Sequence, residues 1–275
     1  MEYRDDFANF YEEVGRHFPE EEVVYRSLRG RLRKKFVLKL LNEETGSFLD
    51  IGCNAGIYIT GFEGHVAVGI DLSSSVLRRA KQRCMNSRLK AKCHFIAGDA
   101  QNLDFIRDIQ FDFILCSEVL EHLLHPERVL SRISRILKPG GRALITTPNY
   151  RGEKPTWVPM GLLRLYLTGE KYYHTAYRPE ELSQMAQTAG LTVLEAGTLE
   201  WEVKYAAKPP AVLFVLLRWL NRLTFKMGSL DRLNQRLYDS LTLLCYCVAR
   251  LLGLENLFRR FIREGVRSYV ILGRS

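Results

Sequence analysis

Residues 48–56 read FLDIGCNAG, an apolar run that ends abruptly in a glycine-containing turn. The run has the composition of a buried strand. Gly52 has no Cβ, so its backbone can adopt a positive φ or let a ligand approach closely, and Asn54 is one of the few other residues that tolerate the left-handed region. This stretch therefore predicts a strand that leads into a binding turn for a nucleotide-like ligand.

Further apolar runs follow, and polar residues stand where they end. They predict the second to fifth strands, at Val66–Ile70, Cys93–Ala97, Phe111–Leu115 and Arg142–Thr146. Amphipathic helical patterns accompany them, at 73–83, 126–137 and 179–189. This alternation is typical of a doubly wound, mainly parallel sheet, in which polar residues after the strands line the ligand crevice.

The position of Asp71 narrows the kind of ligand. Asp71 follows the second predicted strand, nineteen positions after Gly52, where a carboxylate can accept hydrogen bonds from both hydroxyls of a ribose. NAD-binding units use the same spacing, but their glycines run GxGxxG, whereas Asn occupies position 54 here. The dinucleotide interpretation is therefore weakened.

Five segments resemble, in order, the successive motifs of the class I S-adenosylmethionine (SAM)-dependent methyltransferases. Within residues 48–149 they are LDIGCNAG, VGIDLS, GDAQNL, FDFILCSEVLEHLLHP and LKPGGRALITTPN. The resemblance implies SAM as cofactor, with Asp50 and the 52–56 turn at the methionine moiety. It places Asp71 at the ribose and Asp99 with Ala100 at the adenine; the alternative is that both aspartates only cap strand ends. The residues predicted to bind SAM are Asp50, Gly52, Cys53, Asn54, Gly56, Asp71, Leu72, Asp99, Ala100 and Ser117.

The same resemblance sets the domain organisation. Residues 191–199 predict the sixth strand, and the last ten residues predict the seventh, which in this fold inserts antiparallel beside it. We expect a helical cap at 1–43, a methyltransferase core at 44–202 and 266–275, and a helical insertion at 203–265. The expected fold class is α/β, a doubly wound, seven-stranded, mainly parallel sheet with an insertion before the last strand.

A candidate metal site follows the fourth strand. Glu118, Glu121 and His122 stand at i, i+3 and i+4, so they would share one face if this turn is helical. His174 lies on the connection after the fifth strand, which the fold can bring to the same edge. We therefore predict a divalent-cation site of the Mg²⁺ type at Glu118, Glu121, His122 and His174.

The segment EVLEH, the segment TPN and the later histidine are similar to those of the ubiquinone-biosynthesis O-methyltransferases. A more distant similarity is to the small-RNA terminal 2′-O-methyltransferases, and in both families these side chains are associated with Mg²⁺-type binding. The alternative needs no metal: Glu118 contacts the cofactor, Glu121 caps a helix and His122 packs in the rim.

The expected reaction is an in-line displacement at the sulfonium carbon of SAM. The protein must align the acceptor and exclude water, because SAM already carries the activating charge. We predict His122 or His174 as general base near neutral pH, with Glu118 in the catalytic set. A bound metal would instead acidify and orient an acceptor hydroxyl.

Charge separates the predicted insertion from the rest of the chain. From 204 to 274 there are thirteen Lys or Arg and four Asp or Glu, which accounts for the +9 of all 275 residues. Apolar runs with Trp and Phe interleave these cations, as in helices that bind a membrane surface, and we assign this role to 209–262. The alternative is a helical hairpin packed on the sheet or on a second subunit. A nucleic-acid face is less favoured, because such faces interleave cations with polar rather than leucine-rich runs.

Other features bear on location. The start, MEYRDD, lacks a signal-peptide pattern, and no uncharged apolar run approaches the ~20 residues of a membrane span. The six cysteines form no CxxC pair and are interpreted as small buried residues in a reducing cytosol. We expect a cytoplasmic protein, peripheral at the inner face of a membrane.

The acceptor is the least determined part of the function. Residues 150–178 are rich in aromatic side chains and form the expected lid, which favours a flat or lipophilic acceptor, although core packing explains part of them. We therefore expect O-methylation of a quinone precursor, lipid or lipid-linked glycan. The alternatives are an RNA ribose 2′-O-methyltransferase and a non-catalytic SAM-binding interaction protein.

Overall fold

The computed structural model describes residues 3–17, 24–87, 92–155, 157–159, 171–225 and 227–274. The chain forms two compact units. The first comprises Met1–Glu21, Lys35–Gly197 and Arg267–Ser275, and the second comprises Glu22–Lys34 and Thr198–Val266. The expected cap at 1–43 is thus divided between the two units. The longer segment of the second unit begins at Thr198, five residues before the expected insertion at 203.

The strands are β1 (Ser47–Ile51), β2 (Val66–Asp71), β3 (Lys92–Ala97), β4 (Phe111–Ser117), β5 (Leu137–Pro148), β6 (Trp157–Pro159), β7 (Lys171–Tyr173), β8 (Thr192–Leu199) and β9 (Arg267–Gly273). Seven of them form one sheet in the order β3-β2-β1-β4-β5-β9-β8, and β6 pairs antiparallel with β7. The pairs among β1 to β5 are parallel, while β9 runs antiparallel to β5. The predicted fold class, with the last strand inserted antiparallel beside the sixth strand of the main sheet, is confirmed.

The helices are α1 (Tyr3–His17), α2 (Leu28–Leu41), α3 (Ser74–Met85), α4 (Pro126–Ile136), α5 (Pro179–Thr188), α6 (Val203–Ala206), α7 (Lys208–Leu223), α8 (Gly228–Leu251) and α9 (Glu255–Phe261). Local sequence explains where several begin. Ser73 caps α3, since its hydroxyl accepts a hydrogen bond from the Val76 amide. Proline opens both α4 and α5, where its missing N–H costs nothing. Helix α2 begins at Leu28, after a turn at residues 24–27 in which the Ser27 hydroxyl donates to the Val24 carbonyl.

The core of the first unit lies between the sheet and its helices. Leu49, Ile51, Ile114, Ile133 and Ile145 are fully buried in one cluster. Each such side chain contributes about 1.5–3 kcal/mol relative to exposure. The sheet is therefore a rigid platform for residues that follow its strands. Of the six cysteines, Cys53 and Cys116 are buried as predicted, but Cys247 is exposed.

The second unit has a smaller core of its own. Leu28, Val203, Tyr205, Ala206 and Ala249 are buried together, and the Tyr205 ring stacks on Phe258 at 4.5 Å. Within the described residues, each helix alone is too short or too polar to cross a bilayer, and one sharply bent pair, α8 with α9, passes by length and composition.

Asp112 fixes the start of the central strands. Its Oδ2 accepts hydrogen bonds from the Ser47 amide (2.7 Å), the Ser47 hydroxyl (2.7 Å) and Lys138 Nζ (2.8 Å). Partial burial opposes ionisation, but the bonds from Lys138 and Ser47 outweigh it and lower the pKa of Asp112 to about 2. The charged form therefore holds β1 against β4.

This pKa predicts an acid-dependent loss of stability. The unfolded carboxyl has a pKa of about 3.9, so the stabilisation is complete above that value and is lost as pH falls towards 2. We expect Asp112→Asn to unfold at lower temperature than the wild type at pH 6, with the difference shrinking between pH 4 and pH 2. Thermal unfolding by circular dichroism at each pH checks this. Asp104→Asn, at a carboxyl that is 82% exposed, is the control and should show no such pH-dependent gap.

Candidate cofactor and active site

The ends of the parallel strands bring the predicted site residues to one edge of the sheet. Ile51 is in register with Ile70 on one side and Cys116 on the other, and Ser117 is in register with Thr146. The residues that directly follow β1, β2 and β4 therefore share this edge. The sequence prediction placed them there for the same reason.

The turn after β1 has the backbone that its residues indicate. Gly52, Asn54 and Gly56 have φ values of 73°, 46° and 70°. The amides of Gly52 and Cys53 both donate to the Ile70 carbonyl, at 2.8 and 2.9 Å. A Cβ on Gly52 would lie 2.4 Å from Val119 Cγ2. Glycine is thus required at position 52 both for its conformation and for its small size.

Asp71 connects this turn to helix α3. Its Oδ2 accepts a hydrogen bond from the Asn54 amide (2.8 Å), and its Oδ1 accepts one from the Ser73 amide (2.9 Å). Asp71 therefore does cap the end of its strand, as the alternative interpretation held. A carboxylate offers about four lone-pair positions, so Asp71 can also accept ribose hydroxyls. Asp99 caps similarly, accepting from the Gln101 amide at 2.8 Å.

Asp50 is the buried carboxyl of the site. Its carboxyl is 2% exposed, and Oδ2 has no hydrogen-bond partner among the residues that the structure describes. Burial first, and then the negative charge of Asp71, raises the pKa of Asp50 well above its usual range. A cationic ligand group would offset both effects. These features fit a carboxylate that receives the ammonium of an amino-acid moiety.

Glu121, His122 and His174 form a compact cluster beside the turn. Each offers a ligand atom, and these atoms lie within 4.8 Å of one another. Residues 120–122 form a single 3₁₀ turn, and the Thr175 amide donates to the Glu121 carbonyl at 2.8 Å, which holds His174 alongside. The rings of His122 and His174 meet edge to face at 4.9 Å. Three of the four predicted metal ligands are therefore assembled.

Glu118 does not join this cluster, which corrects the prediction. It precedes the 3₁₀ turn and has a φ of 61°, so it shares no helical face with Glu121 and His122. Its carboxylate is instead paired with the buried guanidinium of Arg267 and accepts a hydrogen bond from Thr146 at 3.1 Å. The remaining donors are one carboxylate and two imidazoles. Mg²⁺ prefers several oxygen ligands, so this set fits a divalent transition metal better.

Both histidines are held in their neutral form. Burial and then the neighbouring His174 lower the pKa of His122 to about 3, and burial lowers the pKa of His174. Neutral imidazoles are available to bind a metal without displacing protons. As proton acceptors they are weaker than the general base near neutral pH that we predicted.

The first helix approaches this site, as expected of a cap. The Tyr11 ring contacts His122 edge to face at 5.6 Å. Glu12 accepts hydrogen bonds from the hydroxyls of Ser73 (2.8 Å) and Ser75 (2.5 Å), which fixes α1 on the start of α3. The side chain of Phe7, on the same helix, lies outside the described residues.

The expected lid is described only in part. Tyr177 is 5% exposed and belongs to the main core, and Lys154 lies 4.1 Å from its ring. The Tyr150 hydroxyl donates to Glu181 at 3.2 Å. These two tyrosines therefore have packing roles. Residues 160–170, which carry further apolar residues of the lid, lie outside the described residues.

Sequence reasoning missed Glu12, Thr146 and Arg267. Arg267 was counted with the basic residues after 204, and no local pattern relates it to Glu118. Thr146 was predicted only as the end of the fifth strand. For Thr146, the register of β4 with β5 was the available signal, since it places Thr146 beside Ser117, whose hydroxyl lies 2.8 Å from that of Thr146.

An open, mainly parallel sheet with a glycine turn after β1 and a carboxylate after β2 defines an α/β protein that binds a nucleoside-containing cofactor. A methyltransferase domain family matches residues 25–196. Two relatives are named ubiquinone biosynthesis O-methyltransferase. The one from Coxiella burnetii is 29% identical over 171 residues, 60% of this chain and 71% of the relative. The one from Methylococcus capsulatus is 32% identical over 178 residues, 63% and 74%.

Solved structures share the fold. Phosphoethanolamine N-methyltransferase 2 of Haemonchus contortus, in complex with SAM, matches with a TM-score of 0.58 and 20% identity over 100% of this chain and 60% of that chain. The 1,6-didemethyltoxoflavin-N1-methyltransferase of Burkholderia thailandensis matches with a TM-score of 0.56 and 18% identity, over 71% and 80%. The chain belongs to the methyltransferase domain family, and it is a SAM-dependent methyltransferase.

Proposed function

We propose that the protein transfers the methyl group of SAM to an oxygen atom of a small lipophilic acceptor, such as a quinone precursor, a lipid or a lipid-linked glycan. The observation that carries this proposal is the position of the Glu121, His122 and His174 cluster. The His122 amide donates to the Val119 carbonyl at 3.0 Å, and Val119 packs against the Gly52 position of the cofactor turn. Polar groups that can orient a hydroxyl therefore stand next to the predicted methyl donor.

An oxygen acceptor is favoured by what such a reaction requires. A neutral amine can attack a sulfonium carbon before it loses a proton, whereas a hydroxyl benefits from orientation and deprotonation. The cluster supplies groups for that purpose. The two named relatives, which are called O-methyltransferases, support the same choice.

The experiment is incubation of the purified protein with methyl-deuterated SAM and three substrate pools: catechol and polyprenyl-phenol acceptors, a lipid extract, and total RNA. Mass spectrometry then locates the label. We expect a labelled methyl ether in the phenol or lipid pool. Label confined to ribose of the RNA would favour the 2′-O-methyltransferase alternative, which the basic residues after 204 motivate. Label on nitrogen or carbon alone, or none in any pool, would overturn the proposal.

We also propose that Glu121, His122 and His174 hold a divalent transition metal rather than Mg²⁺. A bound ion would acidify and orient the acceptor hydroxyl. Burial favours this use, because Glu121 is 1% exposed and a buried carboxylate gains strongly from a cation. The groups of this chain that position the ligands are then the Tyr11 ring, against His122, and the Thr175 backbone amide, which donates to the Glu121 carbonyl.

Glu121→Gln tests the metal site at nearly constant volume. We expect its affinity for Zn²⁺, measured by isothermal titration calorimetry, to fall by at least about tenfold, because the only carboxylate of the cluster is lost. Glu127→Gln is the control, since Glu127 is 61% exposed and contacts His125 instead. Absence of Zn²⁺ binding by the wild type, or equal binding by Glu121→Gln, would contradict the metal site. SAM binding by each variant verifies that the protein is folded.

A further inference from the structure

Helix α7 exposes several of its large apolar side chains and buries its amide side chain. Asn221 is 7% exposed, and its amide nitrogen donates to the Met227 carbonyl (2.9 Å) and to Asp231 (3.2 Å). On the solvent side, Val212, Val215 and Trp219 are 74%, 63% and 55% exposed. A surface helix of a water-soluble unit normally has the opposite arrangement.

Helix α8 repeats this inversion. Asn234 and Thr242 are buried, and the Asn234 amide donates to the Phe214 carbonyl of α7 at 2.9 Å. The exposed face carries an apolar stripe at intervals of three to seven residues: Leu233, Leu237, Leu244, Val248 and Leu251. Polar contacts, together with the pair of Phe214 and Tyr238 rings, thus join α7 to α8, while much of the apolar surface of this hairpin faces outward. The exposed apolar residues continue into α9, where Phe261 is 79% exposed.

Such a surface is unfavourable in water. Burying one large apolar side chain is worth about 1.5–3 kcal/mol, and clustered exposed residues of this kind mark surfaces that bind a partner. The outward face needs an apolar environment, while the side-chain nitrogens of the two buried asparagines already donate hydrogen bonds inside the hairpin.

Charge identifies the partner. Among the described residues 208–264, the exposed charged side chains comprise a single acidic residue, Glu264, and a larger basic set: Lys208, Arg222, Arg236, Arg250, Arg259, Arg260 and Arg263. Two copies of this surface would repel each other, and nucleic acid would leave the leucine-rich face exposed to water. A bilayer with anionic head groups satisfies both the apolar and the basic side chains.

We propose that the outward face of α7, α8 and α9 docks, in the plane of the surface, on an anionic lipid bilayer. The leucine, valine and tryptophan side chains enter the acyl boundary, and the arginines contact lipid phosphates. Trp219 and Arg222, one helical turn apart, combine an aromatic ring with a cation as interfacial anchors do. This inference does not depend on which acceptor is methylated.

Vesicle flotation of the full-length protein tests the docking surface. Vesicles of phosphatidylcholine alone are compared with vesicles that contain about one third phosphatidylglycerol, at low and high salt. We expect flotation with the anionic vesicles, weakened by salt. The triple variant Arg259→Gln, Arg260→Gln, Arg263→Gln should bind them at least about tenfold more weakly.

The double variant Trp219→Ser, Leu223→Ser tests the apolar contribution. These side chains are 55% and 60% exposed, so their replacement should leave the fold intact while flotation is lost. Met85→Ser, at a side chain 84% exposed in the first unit, is the matched control and should float like the wild type. SAM binding verifies folding throughout. Wild-type protein that does not float, or a double variant that floats equally well, would overturn the proposal. A stable dimer in light scattering that the double variant abolishes would assign the face to a second copy instead.

Discussion

Gly52→Ala is expected to lower the affinity for SAM by at least about 100-fold and to remove most methyl transfer. The backbone at position 52 has a φ of 73°, which costs a residue with a Cβ about 1–2 kcal/mol. The new methyl group would also lie 2.4 Å from Val119 Cγ2, so either the turn or the 3₁₀ segment behind it must move. Isothermal titration with SAM and a turnover assay measure both losses.

Gly140 is a control that separates the effect of backbone strain from the effect of the steric contact with Val119. Gly140 has a φ of 74°, but a Cβ there would have no atom within 4 Å among the described residues. Gly140→Ala should therefore lose about 1 kcal/mol of unfolding free energy and keep SAM affinity unchanged. Adding Val119→Ala to Gly52→Ala removes the colliding methyl and should restore part of the affinity. Wild-type SAM binding by Gly52→Ala alone would show that the turn does not hold the cofactor.

The turn and the strand ends were predictable because they depend on local rules. An apolar run predicts a strand and the place where the strand ends, and the carboxyl ends of parallel strands meet at one edge of the sheet. Gly52, Asp71 and Asp99 could thus be placed from the sequence. The exact extent of β5 could not be predicted. The Pro139-Gly140-Gly141 segment has the composition of a turn, but the strand begins before it, at Leu137.

The position of Glu118 could not be predicted, because its partner is distant in sequence. Arg267 begins β9, which reaches the site by pairing with β5, where it stands in register with Pro148. Helical spacing suggested that Glu118 shares a face with Glu121. Glu118 itself has a positive φ, however, and lies between β4 and the 3₁₀ turn, so the helical spacing does not apply to it. The apolar runs that interleave the cations after residue 204 likewise indicated helices with apolar and basic residues. They did not indicate that Asn221 would be buried in α7.

These contacts divide the candidate site by chemical role. Asp50, Asp71 and the Gly52 turn present carboxyl and backbone groups suited to a zwitterionic nucleoside cofactor. Glu121, His122 and His174 present neutral nitrogens and one carboxylate to the space next to it. Glu118, once paired with a guanidinium, is no longer a candidate base, because a cation stabilises its charged form and lowers its tendency to accept a proton.

Arg267→Met is expected to lower the free energy of unfolding by about 3–5 kcal/mol, the usual cost of removing one partner from a buried ion pair. The side chains of Arg267 and Glu118 are 9% and 16% exposed, so the charge left on Glu118 would be poorly solvated. Denaturant unfolding of the wild type, Arg267→Met, Glu118→Gln and the double variant completes a thermodynamic cycle. The double variant should be less destabilised than the sum of the single variants, because it leaves no unpaired charge.

Arg142→Met on the neighbouring strand β5 is the matched control for this cycle. Arg142 also pairs with carboxylates, Glu43 and Glu44, but it is 32% exposed, and such surface pairs contribute about 0–1 kcal/mol. If Arg267→Met lowers the free energy of unfolding no more than Arg142→Met does, or if the cycle is additive, then the ion pair with Glu118 does not stabilise the position of Arg267. A large coupling would mean that Glu118 secures β9 to the end of β4. The proton-accepting role would then fall to the neutral histidines or to a metal-bound acceptor.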